Sequence, residues 1–146
     1  MDLYQLLKDD HRDVESLLDR LAEGEDFDSD LFQTLRENLL AHAHAEDEIV
    51  YAALAQQPDA SSLIVESRQD HQALEGLLDE LTAGISEDED WTTKLEDLDQ
   101  LLAEHVEFEE TELIPLAQRL LDEETETHLA ERFLARKEQL GAAHSE

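Results

Sequence analysis

Apolar residues recur along the chain at steps of three and four, the period of helices that bury one face. Leu7, His11, Val14, Leu18 and Leu21 share such a face and predict a first helix from about Asp2 to Ala22. The polar run from Glu23 to Asp28 ends it, and Ser29 or Asp30 is suited to cap the next helix. That second helix is predicted from about Asp30 to Gln57, with Leu35, Leu39, His42, Glu46, Ile49 and Ala53 as its inner stripe. Pro58 to Ser61 turn the chain. A third helix from about Ser62 to Thr82 points His71, Leu74, Leu78 and Leu81 inward, Gly84 ends it, and an acidic loop follows at Ser86 to Asp90. The fourth, from about Asp90 to Leu121, continues the stepping through Leu95, Leu98, Leu102, His105, Glu109 and Leu116. Pro115 should kink it or weaken one turn. A shorter fifth helix, about Thr125 to Leu140, has a modest apolar side in Leu129, Phe133 and Leu140. It is expected either across the other helices or at a contact between two copies of the chain.

The pattern repeats. The segment Asp10 to Leu21 matches Asp70 to Leu81, with Asp, His, Glu, Leu, Leu, Asp and Leu in register. His42 and Glu46 return as His105 and Glu109. Two similar helical hairpins predict an all-α fold, an up-down-up-down four-helix bundle with a short additional C-terminal helix. We expect the bundle to span residues 1–121, with residues 122–146 packing on it as a helix and tail.

Composition agrees. A chain of 146 residues with 40% hydrophobic residues, 4 Gly and 2 Pro is long enough for one cored domain and poor in turn formers. The net charge of −30 repels phosphate backbones and anionic bilayers, so no nucleic acid and no membrane are expected as partners. The acidity fits a high-salt environment or a solubility trait equally well. The absence of Cys excludes disulfides, thiolate-bound clusters and thiol catalysis. Together with a first stretch, Met1 to Lys8, that lacks a signal-peptide pattern, it leads us to expect a cytoplasmic protein. No apolar run approaches the roughly 20 residues of a membrane span.

The polar residues inside the stripes carry the chemistry. Each main helix has His followed four residues later by Glu: His11/Glu15, His42/Glu46, His71/Glu75 and His105/Glu109. Positions four apart lie one turn apart on the same face, so each helix offers an imidazole and a carboxylate to one place. His42/Glu46 and His105/Glu109 interrupt leucine stripes, where an unpaired charge costs several kcal/mol unless a cation offsets it. Counting from the helix ends brings all four histidines near mid-bundle. Imidazoles and carboxylates without sulfur suit iron, manganese or zinc. Four histidines with two to four carboxylates exceed the needs of one ion, so two ions sharing bridging carboxylates is the economical reading, and bridging oxygen ligands favour iron. A buried polar network without metal is the alternative, and networks of this size are uncommon.

At these residues the chain resembles the hemerythrin-like HHE cation-binding domains, over about residues 5 to 120. The resemblance rests on Asp10-His11, the run from His42 through Glu46 to Tyr51, Asp70-His71, and the run from His105 through Glu109 to Pro115. It implies two iron ions with His11, His42, His71 and His105 as terminal ligands and Glu46 and Glu109 as bridges. Oxygen-carrying hemerythrins place a second His four residues after the third-helix His, where this chain has Glu75. A more anionic site should stabilise ferric iron. Sensing or handling of oxygen, peroxide or nitric oxide is therefore expected over simple reversible oxygen carriage, with catalase- or peroxidase-like turnover and oxidase chemistry both open.

Glu15 and Glu75 are expected to be second-sphere or solvated as readily as ligating. Tyr51 reads as a core or boundary residue, His44 as lying on the solvent side opposite His42, and His128 and His144 as surface or tail residues. Two other functions compete. Ferritin-like iron storage or ferroxidase activity uses Glu-x-x-His, whereas the order here is reversed and the spacing is four. A non-catalytic interaction module would use the fifth helix as its contact.

Overall fold

The computed structural model describes residues 2–84 and 91–144. The acidic loop expected at Ser86 to Asp90 and the side chain of His144 lie outside that range. Helix α1 (Leu3–Glu23) is capped by the Asp2 carboxylate, which accepts the N–H of Tyr4 at 2.9 Å. Helix α2 (Ser29–Ala45) is capped by Asp28, one residue before the expected position, because Asp28 is the last extended residue and its carboxylate reaches the Leu31 N–H at 3.0 Å. α2 runs on through a π-helical turn, Glu46–Tyr51, into α3 (Ala52–Leu54). α4 (Ser61–Gly84) returns, and α5 (Trp91–Phe108) passes through a second π turn, Glu109–Leu113, into α6 (Ile114–Leu120). α7 (Glu123–His144) ends the described chain.

Short connections make sequential neighbours antiparallel. α1 packs on α2 and α5, and α4 packs on α5 and α2, which closes a four-rod bundle. α7 lies across it against α2, the first π turn and α1. Its Leu129, Ala130 and Phe133 join the bundle core, so the apolar side expected to meet either the bundle or another copy is used within the chain. No helix among the described residues is long and apolar enough to cross a membrane.

Each π turn starts at a glutamate of the predicted His-x-x-x-Glu motif and moves the register after it. One extra residue per turn sets later side chains back by about 100° relative to an α-helix. Ile49, Ala53 and Leu116, expected to point inward, are thus only partly buried, while Val50, Tyr51, Leu54, Leu113 and Ala117 occupy the core. Pro115 falls in the first turn of α6, where a missing N–H is tolerated, so the second π turn is the weakened turn expected near it.

The core has two apolar halves. One gathers Leu3, Leu7, Val50, Leu54, Ile64 and Phe133 at the α7 end. The other gathers Leu18, Phe32, Leu35, Leu78, Leu81 and Leu98 at the opposite end. His11 lies along α1 between Leu7 and Val14, so the polar residues form a layer between the two halves. The far half needs no cation. Leu78→Ala is expected to cost about 2–5 kcal/mol in urea unfolding while leaving metal binding intact, since Leu78 is fully buried within that half.

Candidate metal centre

Six polar side chains fill the layer: His11, His42, Glu46, His71, His105 and Glu109, none more than 5% exposed. Their ligand atoms form two groups. His11, His42, Glu46 and Glu109 make one; Glu46, His71, His105 and Glu109 make the other, with the atoms of each group within 4.8 Å of one another. Both carboxylates belong to both groups. Glu46 Oε1 lies 3.4 Å from His42 Nε2 and 3.2 Å from His71 Nε2. Glu109 lies 3.6 Å from His11 Nε2 and 3.2 Å from His105 Nε2.

A second ring of carboxylates orients the imidazoles. Asp10 accepts from His42 Nδ1 at 2.8 Å and Asp70 from His105 Nδ1 at 3.0 Å. Asp47 accepts from His71 Nδ1 at 2.8 Å and Glu110 from His11 Nδ1 at 2.7 Å. The arrangement follows the internal repeat: Asp10 and Asp70 each precede a histidine of the layer, while Asp47 and Glu110 each follow one of its glutamates. With the proton held at Nδ1, a neutral ring turns the lone pair of Nε2 inward.

That tautomer decides what the layer can hold. Four inward lone pairs and two carboxylates have no donor to offer one another. His71 Nε2 and His105 Nε2 stand 3.1 Å apart. His11 Nε2, His42 Nε2, Glu46 Oε2 and Glu109 Oε1 are buried without a hydrogen-bond partner. Acceptors this close need cations between them. Donors about 2.1 Å from one shared ion stand roughly 3.0–3.4 Å apart at octahedral to tetrahedral angles, close to the spacings found here. The layer therefore fits a metal ion in each group.

Protons can serve as the cations. Burial opposes the His42 imidazolium, but Glu46 and Asp10 outweigh it and raise its pKa to about 10. His71, likewise opposed by burial, is raised to about 9 by Asp47 and Glu46. His11 moves upward through Glu109 despite burial. Glu109, which burial alone would push up, is held well below the usual carboxylate range by its side-chain contacts with Glu46, His105 and His11.

Tyr51 enters the layer from the first π turn. It is fully buried, stacks on the His71 ring at 5.2 Å, and its hydroxyl donates to Glu109 Oε2 at 2.7 Å, with Glu46 Oε1 at 3.0 Å. Burial and the two carboxylates push its pKa well up, so it remains a donor. Sequence spacing read Tyr51 as merely buried because five residues past Glu46 is off-face on an α-helix; a π turn brings that position over its start. Asp47 and Glu110 were equally hidden, being single acids among many.

Glu15 and Glu75 are not in either group. Their side chains are 39% and 43% exposed; Glu15 pairs with Arg12 and Glu75 lies 3.4 Å from His44. Four residues overshoot a helical turn by about 40°, and α1 and α4 have no π turn there to carry the carboxylate inward. His44 is two-thirds buried beside Glu75, not on the open side as expected, because it faces α4. His128 is exposed, as expected.

A family model described as the hemerythrin HHE cation binding domain matches residues 2–117. No curated protein and no solved structure matched the chain.

Proposed function

The chain belongs to the hemerythrin HHE cation-binding family, and from that premise we propose that it is a non-haem di-iron protein that handles or senses oxygen, peroxide or nitric oxide. The observation that carries the reading is the sharing of Glu46 and Glu109 by two groups that each add two histidines. In this reading His11 and His42 would hold one ion, His71 and His105 the other, and Glu46 and Glu109 would serve both. Two imidazoles with carboxylate oxygens are a donor set suited to non-haem iron, and manganese or zinc accepts the same donors. Bound iron would supply one-electron redox chemistry and open coordination positions.

The protein's own residues set the rest. Asp10, Asp47, Asp70 and Glu110 fix the four rings with Nε2 inward. Tyr51 holds a proton at its hydroxyl beside Glu109. A small cavity lined by Leu7, Val50, Leu54, Leu113, Ile114 and Ala117 adjoins both glutamates, which favours a diatomic molecule or peroxide over an organic substrate.

Ferrous iron supplied to the metal-free protein, followed by metal analysis and absorption spectroscopy, tests the reading. We expect two irons per chain and a near-ultraviolet charge-transfer absorption that changes on adding peroxide or nitric oxide. His42→Ala should abolish that absorption. A wild-type protein that stays colourless and metal-free would overturn the proposal.

A further inference from the structure

The two halves of the candidate metal centre are related by the internal repeat, but α7 packs chiefly on α2, the first π turn and α1, which carry His42, Glu46 and His11. Asp10 and Asp70 play equivalent parts, each accepting from the Nδ1–H of a histidine on the following rod. Asp10 uses Oδ2 for His42, and its Oδ1 takes the Lys137 ammonium from α7. Among the described residues Asp70 has no cationic side chain against it, and it is 27% exposed where Asp10 is 10%. Phe133, one turn before Lys137, sets its ring edge-on to His42 at 5.7 Å and 80°. Arg136 anchors the same stretch to Glu48 at 2.5 Å. The chain has 10 basic against 40 acidic residues, so a lysine at this carboxylate is a distinct feature. Lys137 also lies past the span of the family match, residues 2–117.

A carboxylate hydrogen-bonded to Nδ1–H makes an imidazole a stronger donor through Nε2, which stabilises the higher oxidation state of a bound ion. A cation on the far oxygen draws charge off the carboxylate and weakens that effect. The nearby positive charge acts in the same direction, and in a buried layer it is poorly screened. We propose that Lys137 is a positioning residue, acting through Asp10 and His42, that makes the His11/His42 position easier to reduce than the His71/His105 position. The proposal rests on the di-iron reading above.

The test is a redox titration of the full-length, iron-loaded protein with dithionite, each step placing one electron on one ferric ion to give ferrous iron. Near-ultraviolet absorption and the electron paramagnetic resonance of the mixed-valence state follow it. Two resolved steps are expected. Lys137→Gln should lower the first alone, so that the reduced-to-oxidised ratio at the wild-type midpoint falls about tenfold, which is 59 mV for one electron. Lys137→Arg should keep the wild-type value. A single unresolved two-electron step in the wild type, an unchanged or equal shift of both steps in Lys137→Gln, or an Arg variant that behaves like Gln would overturn the inference. So would a Lys137→Gln protein holding fewer than two irons, which would make the lysine a scaffold. Wild-type protein that takes up no iron sinks the di-iron reading itself and this inference with it.

Discussion

Glu109→Gln is expected to empty both metal positions, whereas His11→Gln should empty one. Glu109 sits in both ligand groups, with His11 at 3.6 Å on one side and His105 at 3.2 Å on the other. The amide keeps the volume but removes the negative charge, and its NH2 offers a donor where an ion needs an acceptor. Each position then has one carboxylate left and its mutual screening is lost. Bound iron should drop from two per chain toward zero under conditions that saturate the wild type. His11→Gln removes an imidazole that only one group uses, so one iron should remain. Metal analysis after gel filtration, with far-ultraviolet circular dichroism to confirm that the helices persist, separates the cases. A Glu109→Gln protein that keeps one tightly held ion would mean that the carboxylate serves one position and does not bridge.

The contrast between the two variants depends on geometry that the sequence held only in part. The six buried residues were legible because a charge in a leucine stripe breaks a pattern that hydrophobic burial otherwise imposes; His42, Glu46, His105 and Glu109 stand out for that reason. The rods were legible for the same reason, to within a few residues at their ends. Glu15 and Glu75 show the limit. Their spacing from histidine equals that of Glu46 and Glu109, and what separates them is a π turn, a backbone choice with no composition of its own. The same turn hid Tyr51 and shifted the inward face from Ile49 to Val50. Asp47 and Glu110 were invisible because in a chain with 40 acids an acid beside Glu46 or Glu109 carries no signal. Lys137 was out of reach for a different reason: where α7 crosses the bundle is set by tertiary packing of Leu129, Ala130 and Phe133, and no local period encodes it.

Loading the layer with metal should release protons, and should change how the protein's stability depends on pH. His42 and His71 have folded pKa values of about 10 and about 9, both above the unfolded histidine value of about 6.5. Raised values mean that the metal-free fold binds protons that the unfolded chain does not. Their stabilisation is fully present below about pH 6.5 and is lost as pH rises through 9 and 10. The melting temperature of the metal-free protein should therefore fall between pH 7 and pH 10, as four inward lone pairs and two carboxylates lose their cations. A metal ion binds the same Nε2 atoms only once those protons leave. At pH 7.5, calorimetric titration in two buffers of different ionisation enthalpy should show about two protons released per chain, one each from His42 and His71. Affinity should rise with pH over the same range, and the loaded protein, whose cations are no longer protons, should keep its melting temperature. The gap between loaded and metal-free melting temperatures then widens toward alkaline pH. Metal binding without proton release, or a gap that closes as pH rises, would mean that the imidazoles are neutral in the metal-free fold and that something other than protons holds the two buried glutamates.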